Sequence, residues 1–364
     1  MIGFVQKMIL LAAMLLGLPL LGVHLAGLPL NRYLEFPPRT LYMTHTPFSW
    51  VVFAGYAVAI LSVVGFLFFH WFRARKELSN VEYSPANSFP WWGWFAAATM
   101  VLSWVLAWTR LSWFAPLQLH TFTPLWLSFI VVINALSYRN KGQCLMSDRT
   151  ILFLLLFPVS ALFWWFFEYL NRFVQNWYYL NDDFSALEYF LLGTLPFSTV
   201  LPAVLSVREW FLSYPHIAIA FRNSIPIRPP HPKALAWVVL AVSALGLIAI
   251  GLYRDYLFPL LWVSPLLIIV SLQTLWNERH LLSDLATGNW TKLTASALAA
   301  LFCGFFWEMW NYYSLAKWKY SIPYVDRFHL FEMPILGYAG YLPFGLECAV
   351  IGGIVYGLVD STRK

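Results

Sequence analysis

Apolar residues fall in long runs along this chain, separated by short segments that carry most of the charges. A helix crosses a hydrocarbon core of ~30 Å with roughly 20 such residues. The predicted spans are Met8–Leu28, Trp50–Phe72, Trp91–Thr109, Phe122–Leu136, Ile151–Tyr169, Leu187–Val207, Ala234–Leu252, Leu257–Leu275, Leu293–Trp310 and Phe331–Leu358. We therefore predict an all-α fold, a polytopic transmembrane helical bundle of about ten spans.

Composition and charge support this class of protein and exclude two others. Hydrophobic residues make up 60% of the chain and charged residues 11%, which excludes an ordinary soluble domain. The basic residues behind the net charge of +6 are scattered singly, without the basic face that nucleic-acid binding uses. Most of them fall on the side of the N-terminus when the spans are threaded in order, so we expect both termini to be cytoplasmic.

The first apolar run follows Lys7 and resembles a signal peptide. Its apolar stretch is long, and no clear A-x-A cleavage site follows it. We therefore expect this run to be retained as a membrane anchor, with cleavage as the alternative.

Two segments far apart in the chain repeat the same polar pattern: FWWFFEYLNRFVQNWYY at 163–179 and GFFWEMWNYYSLAKWKY at 304–320. A shared helix period could produce matching apolar residues, but not an E-x-x-N, a W-x-Y, a later Glu and an L-P-F in one order. The matched positions are Glu168 and Glu308, Asn171 and Asn311, Trp177 and Trp318, Tyr179 and Tyr320, Glu188 and Glu332, and the L-P-F at 195–197 and 342–344. The pattern predicts an internal duplication.

The duplication predicts four regions. A two-span segment at 1–89 precedes a four-helix repeat at 90–224, a proline-rich cytoplasmic linker at 225–233 and a second four-helix repeat at 234–364. An even number of spans gives both copies the same orientation. We expect a pseudo-twofold axis along the membrane normal.

Glu168 and Glu308 are the first candidates for chemistry, because a carboxyl at membrane depth is costly and usually faces the interior of the bundle. Asn171 and Asn311 lie at i+3 on the same helical faces. We expect both pairs to face the repeat interface, with a protonated Glu as acid and the asparagines contacting substrate. The alternative is a structural carboxylate; Arg172 at i+4 favours it for Glu168.

Other glutamates are further candidates. Glu347 lies inside the last predicted span, where its counterpart is Val200, and a lone intramembrane Glu is a catalytic candidate beside Glu308. The alternative is a structural carboxylic acid bonded to a neighbouring backbone carbonyl. Glu188 and Glu332 are predicted to open helices, either as substrate contacts or as partners of the helix dipole.

Aromatic residues around these glutamates are predicted to wall the site. Trp165 and Trp307 are candidates for an apolar pocket, and Trp318 and Tyr320 for a lid, with interfacial anchoring as the alternative. No metal site or cofactor is predicted, since the cysteines are isolated and no His pair has metal-ligand spacing. Axial haem ligation by His45 and His120 is a remaining alternative.

Two resemblances follow from these motifs. The segments YLEFPPRT, LSWVLAWTR, HTFTPLWL, FWWFFEYLNRFVQNWYY, WEMWNYY and FEMPILGYAGYLPFGLE resemble an uncharacterised family of bacterial multi-spanning membrane proteins over nearly the whole chain. The order of Trp307-Glu308, Trp318-x-Tyr320 and then Glu332 is similar, in part, to the lycopene cyclase domain of carotenoid biosynthesis, whose signature has W-D, W-x-Y and P-x-E-E-x-x-F-F. Here a single Glu stands in place of that pair.

These resemblances imply a bacterial inner membrane location and an apolar isoprenoid ligand. The sequence predicts an aromatic-lined site at the repeat interface, serving a non-redox lipid or isoprenoid cyclase or isomerase that uses a protonated Glu. One alternative is a non-catalytic membrane subunit or scaffold that packs against a membrane protein partner. Another is a lipid or solute transporter. Membrane lipids are expected partners in each case.

Overall fold

Long apolar helices dominate the computed structural model, which describes residues 3–38, 44–180 and 184–361. The α-helices are α1 (Phe4–Leu25), α2 (Asn31–Leu34), α3 (Trp50–Arg73), α4 (Arg75–Leu78), α5 (Trp91–Trp108), α6 (Phe122–Lys141), α7 (Leu145–Asp148), α8 (Thr150–Val174), α9 (Ala186–Phe197), α10 (Val200–Leu212), α11 (Pro215–Phe221), α12 (Pro232–Ala249), α13 (Arg254–Leu257), α14 (Leu260–Leu275), α15 (Thr291–Asn311) and α16 (Tyr341–Ser361). Three 3₁₀ helices cover Ser112–His120, Leu281–Thr287 and Ile335–Gly340. The strands are β1 (Trp177–Tyr179), β2 (Trp318–Tyr320), β3 (His329–Leu330) and β4 (Met333–Pro334).

Eight helical segments of the described ranges are long and apolar enough to cross a membrane. They are Phe4–Leu25, Trp50–Arg73, Phe122–Lys141, Thr150–Val174, Ala186–Leu212, Pro232–Ala249, Thr291–Asn311 and Ile335–Asp360. A ninth results if α5 and the 3₁₀ helix after it, bent by 107°, form one span. The predicted all-α, polytopic helical bundle is therefore confirmed, whereas the total of ten spans and the four-helix duplication remain predictions.

Two predicted spans differ locally from the structure. The predicted span Leu257–Leu275 contains α14, which at 16 residues is shorter than the roughly 20 that span a membrane. The last span was predicted to begin at Phe331, but α16 begins at Tyr341. Residues 329–334 instead form the β3–β4 hairpin, and Phe331 has a φ of 59°, which a helix start does not allow.

Two glycines let helices pack backbone to backbone. A side chain at Gly345 of α16 would collide with the Ser296 carbonyl of α15, 2.1 Å from the position of its Cβ. A side chain at Gly22 of α1 would meet the Ile248 carbonyl of α12 at 1.7 Å. Helices in a membrane associate through such close contacts, because the hydrophobic effect does not drive their pairing when the surrounding lipid is as apolar as their side chains.

Helix α3 is packed differently from the central helices. It buries His70 alone along its length, while Val58 and Leu61 are each 65% exposed. Contacts hold its two ends: the Ser49 N–H donates to the Tyr324 carbonyl at 2.9 Å, and His70 bonds the Ser224 hydroxyl at 3.1 Å. The middle of α3 is thus a single layer of protein beside the bundle.

Candidate functional site

The two E-x-x-N segments end α8 and α15, and each asparagine fixes the strand that follows its helix. Asn171 accepts the Asn176 N–H at 2.8 Å and donates to the Trp177 carbonyl at 2.8 Å. Asn311 accepts the Trp318 N–H at 3.0 Å and donates to the Trp318 carbonyl at 2.8 Å. Both amides serve backbone groups and so position the strands; their contact with a substrate stays a prediction.

Strands β1 and β2 pair into an antiparallel ribbon. It joins the first half of the chain, which is residues 90–224, to the second half, which is residues 234–364. Trp177 lies opposite Tyr320, Tyr178 opposite Lys319, and Tyr179 opposite Trp318. Each tryptophan of a W-x-Y therefore faces the tyrosine of the other W-x-Y, as a local twofold axis would place them. The sequence predicts Trp318 and Tyr320 as a lid or as interfacial anchors, and it does not predict the pairing of the two motifs.

Glu168 lies beside this ribbon and is almost fully buried, 2% exposed. Its Oε1 accepts the Tyr179 hydroxyl at 2.6 Å, the Trp177 indole N–H at 3.0 Å and the Trp164 indole N–H at 3.2 Å. Burial raises the pKa of Tyr179 well above its ordinary value, and the nearby Glu168 carboxyl raises it further. The hydroxyl therefore keeps its proton and donates.

Glu308 occupies the matching place in the second half, with a different set of donors. Its Oε1 accepts the hydroxyls of Tyr341 at 2.6 Å and Tyr320 at 2.7 Å. The Trp318 indole donates to Tyr320 at 2.8 Å, one bond further out. Glu308 Oε2 is buried and has no hydrogen-bond partner among the described residues. Burial, then the Glu308 carboxyl, raises the pKa of Tyr320 well above its ordinary value.

Arg172 does not pair with Glu168 as the i, i+4 spacing suggested. Its guanidinium donates to the carbonyls of Tyr33 and Glu35, both at 2.8 Å. Those contacts tie the segment after α2 to the end of α8. Within the described ranges, Glu168 is held by hydroxyl and indole donors and forms no ion pair.

A cavity of about 370 Å³ lies against the ribbon between the two halves. Its lining is mainly aromatic and aliphatic, and matching positions from both halves contribute to it. The matched lining residues are Trp177 and Trp318, Tyr179 and Tyr320, and Leu192-Gly193 and Leu336-Gly337. The middle of α3 closes one side through Tyr56 and Ile60. The space is thus walled by both halves and separated from the bilayer by one helix.

The predicted site residues divide into two groups around this cavity. Trp307, Trp318 and Tyr320 line it. The others lie outside the described lining: Glu308, Glu168, Glu347, Asn311, Asn171, Trp165, Glu332 and Glu188. The glutamates of the E-x-x-N motifs are therefore one layer behind the cavity wall, with the hydroxyls of Tyr179 and Tyr320 between them and the cavity.

Glu188 and Glu332 have separate local roles. Glu188 lies in the first turn of α9 and completes a capping box with Ser185, whose hydroxyl donates to it at 2.7 Å. Glu332 does not open a helix as predicted; it lies in the turn between β3 and β4 and forms an ion pair with Lys317. Neither contact involves the other glutamate candidates.

Glu347 lies deep in the bundle, against a helix that contains a proline. Pro265 in α14 interrupts the ladder of backbone hydrogen bonds. The Leu266 N–H donates to Glu347 Oε1 at 3.0 Å, so this carboxyl satisfies an amide beside the interruption. Its Oε2 is buried without a partner among the described residues. A catalytic role for Glu347 stays a prediction.

His45 is engaged through both ring nitrogens, which leaves neither for an axial haem bond. Nδ1 lies 2.7 Å from Asp255 Oδ1 and Nε2 lies 3.1 Å from the Gln175 carbonyl. Burial opposes ionisation of Asp255, but hydrogen bonds from Thr46 and His45 outweigh it, so its pKa is lowered. His45, Thr46 and Asp255 form a clasp over the first half of the ribbon. No cluster of three or more His, Cys, Asp or Glu in the described ranges could hold a metal.

Three lining residues escaped the sequence analysis. Tyr341 follows Glu332 by nine residues and lies in a G-Y-A-G-Y run that has no counterpart in the first half. Trp262 lies on α14, far in sequence from either motif, and stacks on Trp177 with ring centres 5.7 Å apart. Asn176 directly precedes the first W-x-Y, and Lys317 directly precedes the second. This shared position is the signal from which their place at the cavity could have been predicted.

Comparisons of this chain with family profiles, with curated proteins and with solved structures found no match.

Proposed function

We propose that this integral membrane protein binds an apolar lipid of the isoprenoid class in the cavity and converts it without redox chemistry, as a cyclase or isomerase. The observation that carries the proposal is an aromatic cavity between two buried carboxyl–tyrosine groups. Its volume of about 370 Å³ falls within the usual range of roughly 300–1,000 Å³ for ligand pockets. The partial resemblance to lycopene cyclase domains supports the same class of ligand.

The proposed chemistry is proton transfer to and from carbon. Glu308, in its acid form, gives its proton to the oxygen of Tyr320 or Tyr341, and the hydroxyl, turned away from the carboxyl, gives its own proton to an alkene carbon of the ligand. A C–H bond forms, and a carbocation develops at the neighbouring carbon. Loss of a proton from an adjacent carbon to the same tyrosine oxygen, which passes a proton back to the Glu308 carboxylate, forms the new double bond and restores the acid. Aromatic faces such as Trp307 and Trp318 stabilise the cation.

Helix α3 gives this ligand a route from the bilayer. The cavity wall at Tyr56 and Ile60 is one helix thick, and other α3 side chains such as Val58 are largely exposed. An apolar chain that enters beside α3 never crosses water. We place the protein in a bacterial inner membrane with both termini cytoplasmic, as the basic residues favour.

Mass spectrometry of the protein purified in mild detergent tests the binding step. We expect an isoprenoid lipid to co-purify with the wild type. Val263→Trp, a substitution in the lining, should reduce its occupancy at least tenfold because the new ring fills the space. Val242→Trp is the matched control, since Val242 lies on α12 and is 64% exposed. Equal lipid content in both variants would contradict the cavity as the binding site.

A non-catalytic membrane subunit is the second candidate, and one observation favours it. Within the described ranges, the side-chain amides of Asn171 and Asn311 bond backbone groups of Asn176, Trp177 and Trp318, so these polar groups could serve the architecture alone. In that case Glu308→Gln assembles normally, and neither this variant nor wild type converts a lipid. Deuterium incorporation into lipid by wild type and by Glu308→Gln separates the two functions.

A further inference from the structure

The polar groups that line the cavity are mostly satisfied within the protein. The Tyr179 and Tyr320 hydroxyls donate to the buried glutamates, and the Trp318 indole donates to Tyr320. Lys317 pairs with Glu332 and donates to the Tyr312 carbonyl at 2.8 Å. A ligand therefore meets few groups free to form a new hydrogen bond.

Among the described lining residues, only Asn176 has a fully buried side-chain polar atom without a hydrogen-bond partner. It is 3% exposed, and its side-chain oxygen Oδ1 is buried without a hydrogen-bond partner. Its backbone is held on both sides: the N–H donates to Asn171 Oδ1 at 2.8 Å, and the carbonyl accepts the Ser321 N–H at 2.8 Å. A fixed, unpaired amide in an apolar cavity costs about 1–3 kcal/mol unless a ligand completes it.

We infer that Asn176 binds the hydroxyl group of a long-chain isoprenoid alcohol. This inference rests on the proposed function and narrows its ligand class. A hydroxyl both donates and accepts, so it satisfies the amide in either orientation. A neutral head suits the surroundings better than a charged one. An ammonium group would lose its hydration in a cavity that already holds Lys317, and a phosphate would find that lysine paired.

The residue at the matching position in the second half explains why only one polar side chain binds the alcohol. Lys317 precedes the second W-x-Y as Asn176 precedes the first, and both line the cavity. The pairing of Lys317 with Glu332 leaves Asn176 as the contact for the alcohol. The ligand should therefore bind in one direction, with its hydroxyl at Asn176 and its chain against the aromatic lining.

Equilibrium binding of two radiolabelled probes to the full chain in mild detergent tests this inference. Geranylgeraniol carries the hydroxyl, and its methyl ether has the same chain without the donor. We expect wild type to bind the alcohol about tenfold more tightly, the effect of one hydrogen bond to a buried acceptor. Asn176→Leu should bind both probes with the affinity that wild type shows for the ether. Asn80→Leu, at an exposed position outside the lining, should retain the tenfold difference.

The outcomes separate the two proposals. Equal binding of both probes by wild type would overturn the role of Asn176 and leave the apolar cavity intact as a site. A preference that persists in folded Asn176→Leu would also overturn it. Failure of wild type to bind either probe would contradict the isoprenoid class in the proposed function, and this inference with it. The wild-type comparison needs no variant and stands even if Asn176→Leu fails to fold.

Discussion

Glu168 and Glu308 occupy matching places in the two halves of the protein, yet their surroundings differ. One oxygen of Glu168 accepts three donors, two of them rigid indoles. One oxygen of Glu308 accepts two tyrosine hydroxyls, while its other oxygen is buried and unpaired among the described residues. The first half is also bonded to other parts of the chain. Arg172 donates to the Tyr33 carbonyl, and His45 of the clasp bonds the Gln175 carbonyl.

This difference assigns separate tasks to the halves. A hydroxyl rotates and can pass a proton on, whereas an indole N–H only donates. Under the proposed function, the first half would serve as a structural anchor and the second half as the proton carrier. Substitution of the matched glutamates, asparagines and tyrosines tests this division: unequal effects in the two halves support it, and equal effects argue against it.

The largest difference is expected for the two glutamates. Glu308→Gln should reduce proton transfer to the ligand by at least ~100-fold, within the range of about 10²–10⁴ for general acid catalysis. Glu168→Gln keeps an acceptor oxygen for its donors and should reduce it less than tenfold. Deuterium incorporation from D₂O into isoprenoid lipids, followed by mass spectrometry, measures the transfer without knowledge of the product.

Thermal unfolding of both variants is the control for that experiment. If Glu308→Gln folds normally and incorporates deuterium at the wild-type rate, Glu308 is not the acid. If wild type incorporates none, the non-catalytic function gains support. Equal losses in both glutamate variants would mean that the halves share the chemistry.

The asparagines should differ less, because both hold backbone groups. Asn171→Leu and Asn311→Leu should each cost about 2 kcal/mol of stability, since buried N–H and carbonyl groups lose their partners. Asn171 supports two residues, Asn176 and Trp177, so its substitution should be the more costly. Thermal midpoints in detergent measure both, with Asn80→Leu as an exposed control that should change little. An unchanged midpoint for either buried variant would show that the ribbon does not depend on it.

Loss of one hydroxyl should affect the second half more than the first. Tyr320→Phe removes a donor to Glu308 and also the acceptor of the Trp318 indole. Tyr179→Phe leaves Glu168 with both of its indole donors. We expect losses of about 2 and 1 kcal/mol respectively, measured as shifts of the thermal midpoint. The reverse order would contradict the chain of contacts from Trp318 through Tyr320 to Glu308.

The smallest effect is expected at the clasp over the first half. Asp255→Asn should cost about 1 kcal/mol at neutral pH, because hydrogen bonds to a partly buried carboxylate are lost. The pKa of Asp255 is lowered in the folded protein, so this stabilisation is complete above the ordinary Asp range near pH 3.9 and is lost as the pH falls through the lower folded value. The difference between the thermal midpoints of wild type and Asp255→Asn should therefore shrink as the pH falls from 5 to 3, and the midpoints should converge only below the folded pKa. A constant difference over that range would show that ionisation of Asp255 is not what holds the clasp.

The sequence predicts the helices well because membrane helices satisfy their own backbone hydrogen bonds. Apolar length alone therefore locates α1, α3 and α8, and the repeated E-x-x-N locates the buried glutamates. The β1–β2 ribbon is hidden because its strands come from distant parts of the chain and are three residues long. Pairing of such strands is set by Asn171 and Asn311, not by strand propensity.

The tyrosines between the Glu308 carboxyl and the cavity could not be predicted from the sequence either. Spacing along a helix gives the face on which Glu308 lies, but not the residues from other elements that cover it. Tyr341 comes from α16 and Tyr320 from β2, and both stand at Glu308 Oε1. Arg172 likewise has its partners in the N-terminal segment, at Tyr33 and Glu35, so its i, i+4 spacing to Glu168 was misleading.

The contact at Gly22 has a consequence for how the protein is made. Gly22 of α1 packs on Ile248 of α12, and these residues are 226 positions apart. At a synthesis rate of about 5–20 residues per second, α1 waits roughly 11 to 45 seconds before its partner leaves the ribosome. During that time its glycine face lies in lipid with no helix against it. Packing of α1 on α12 is therefore a late event relative to the synthesis of α1.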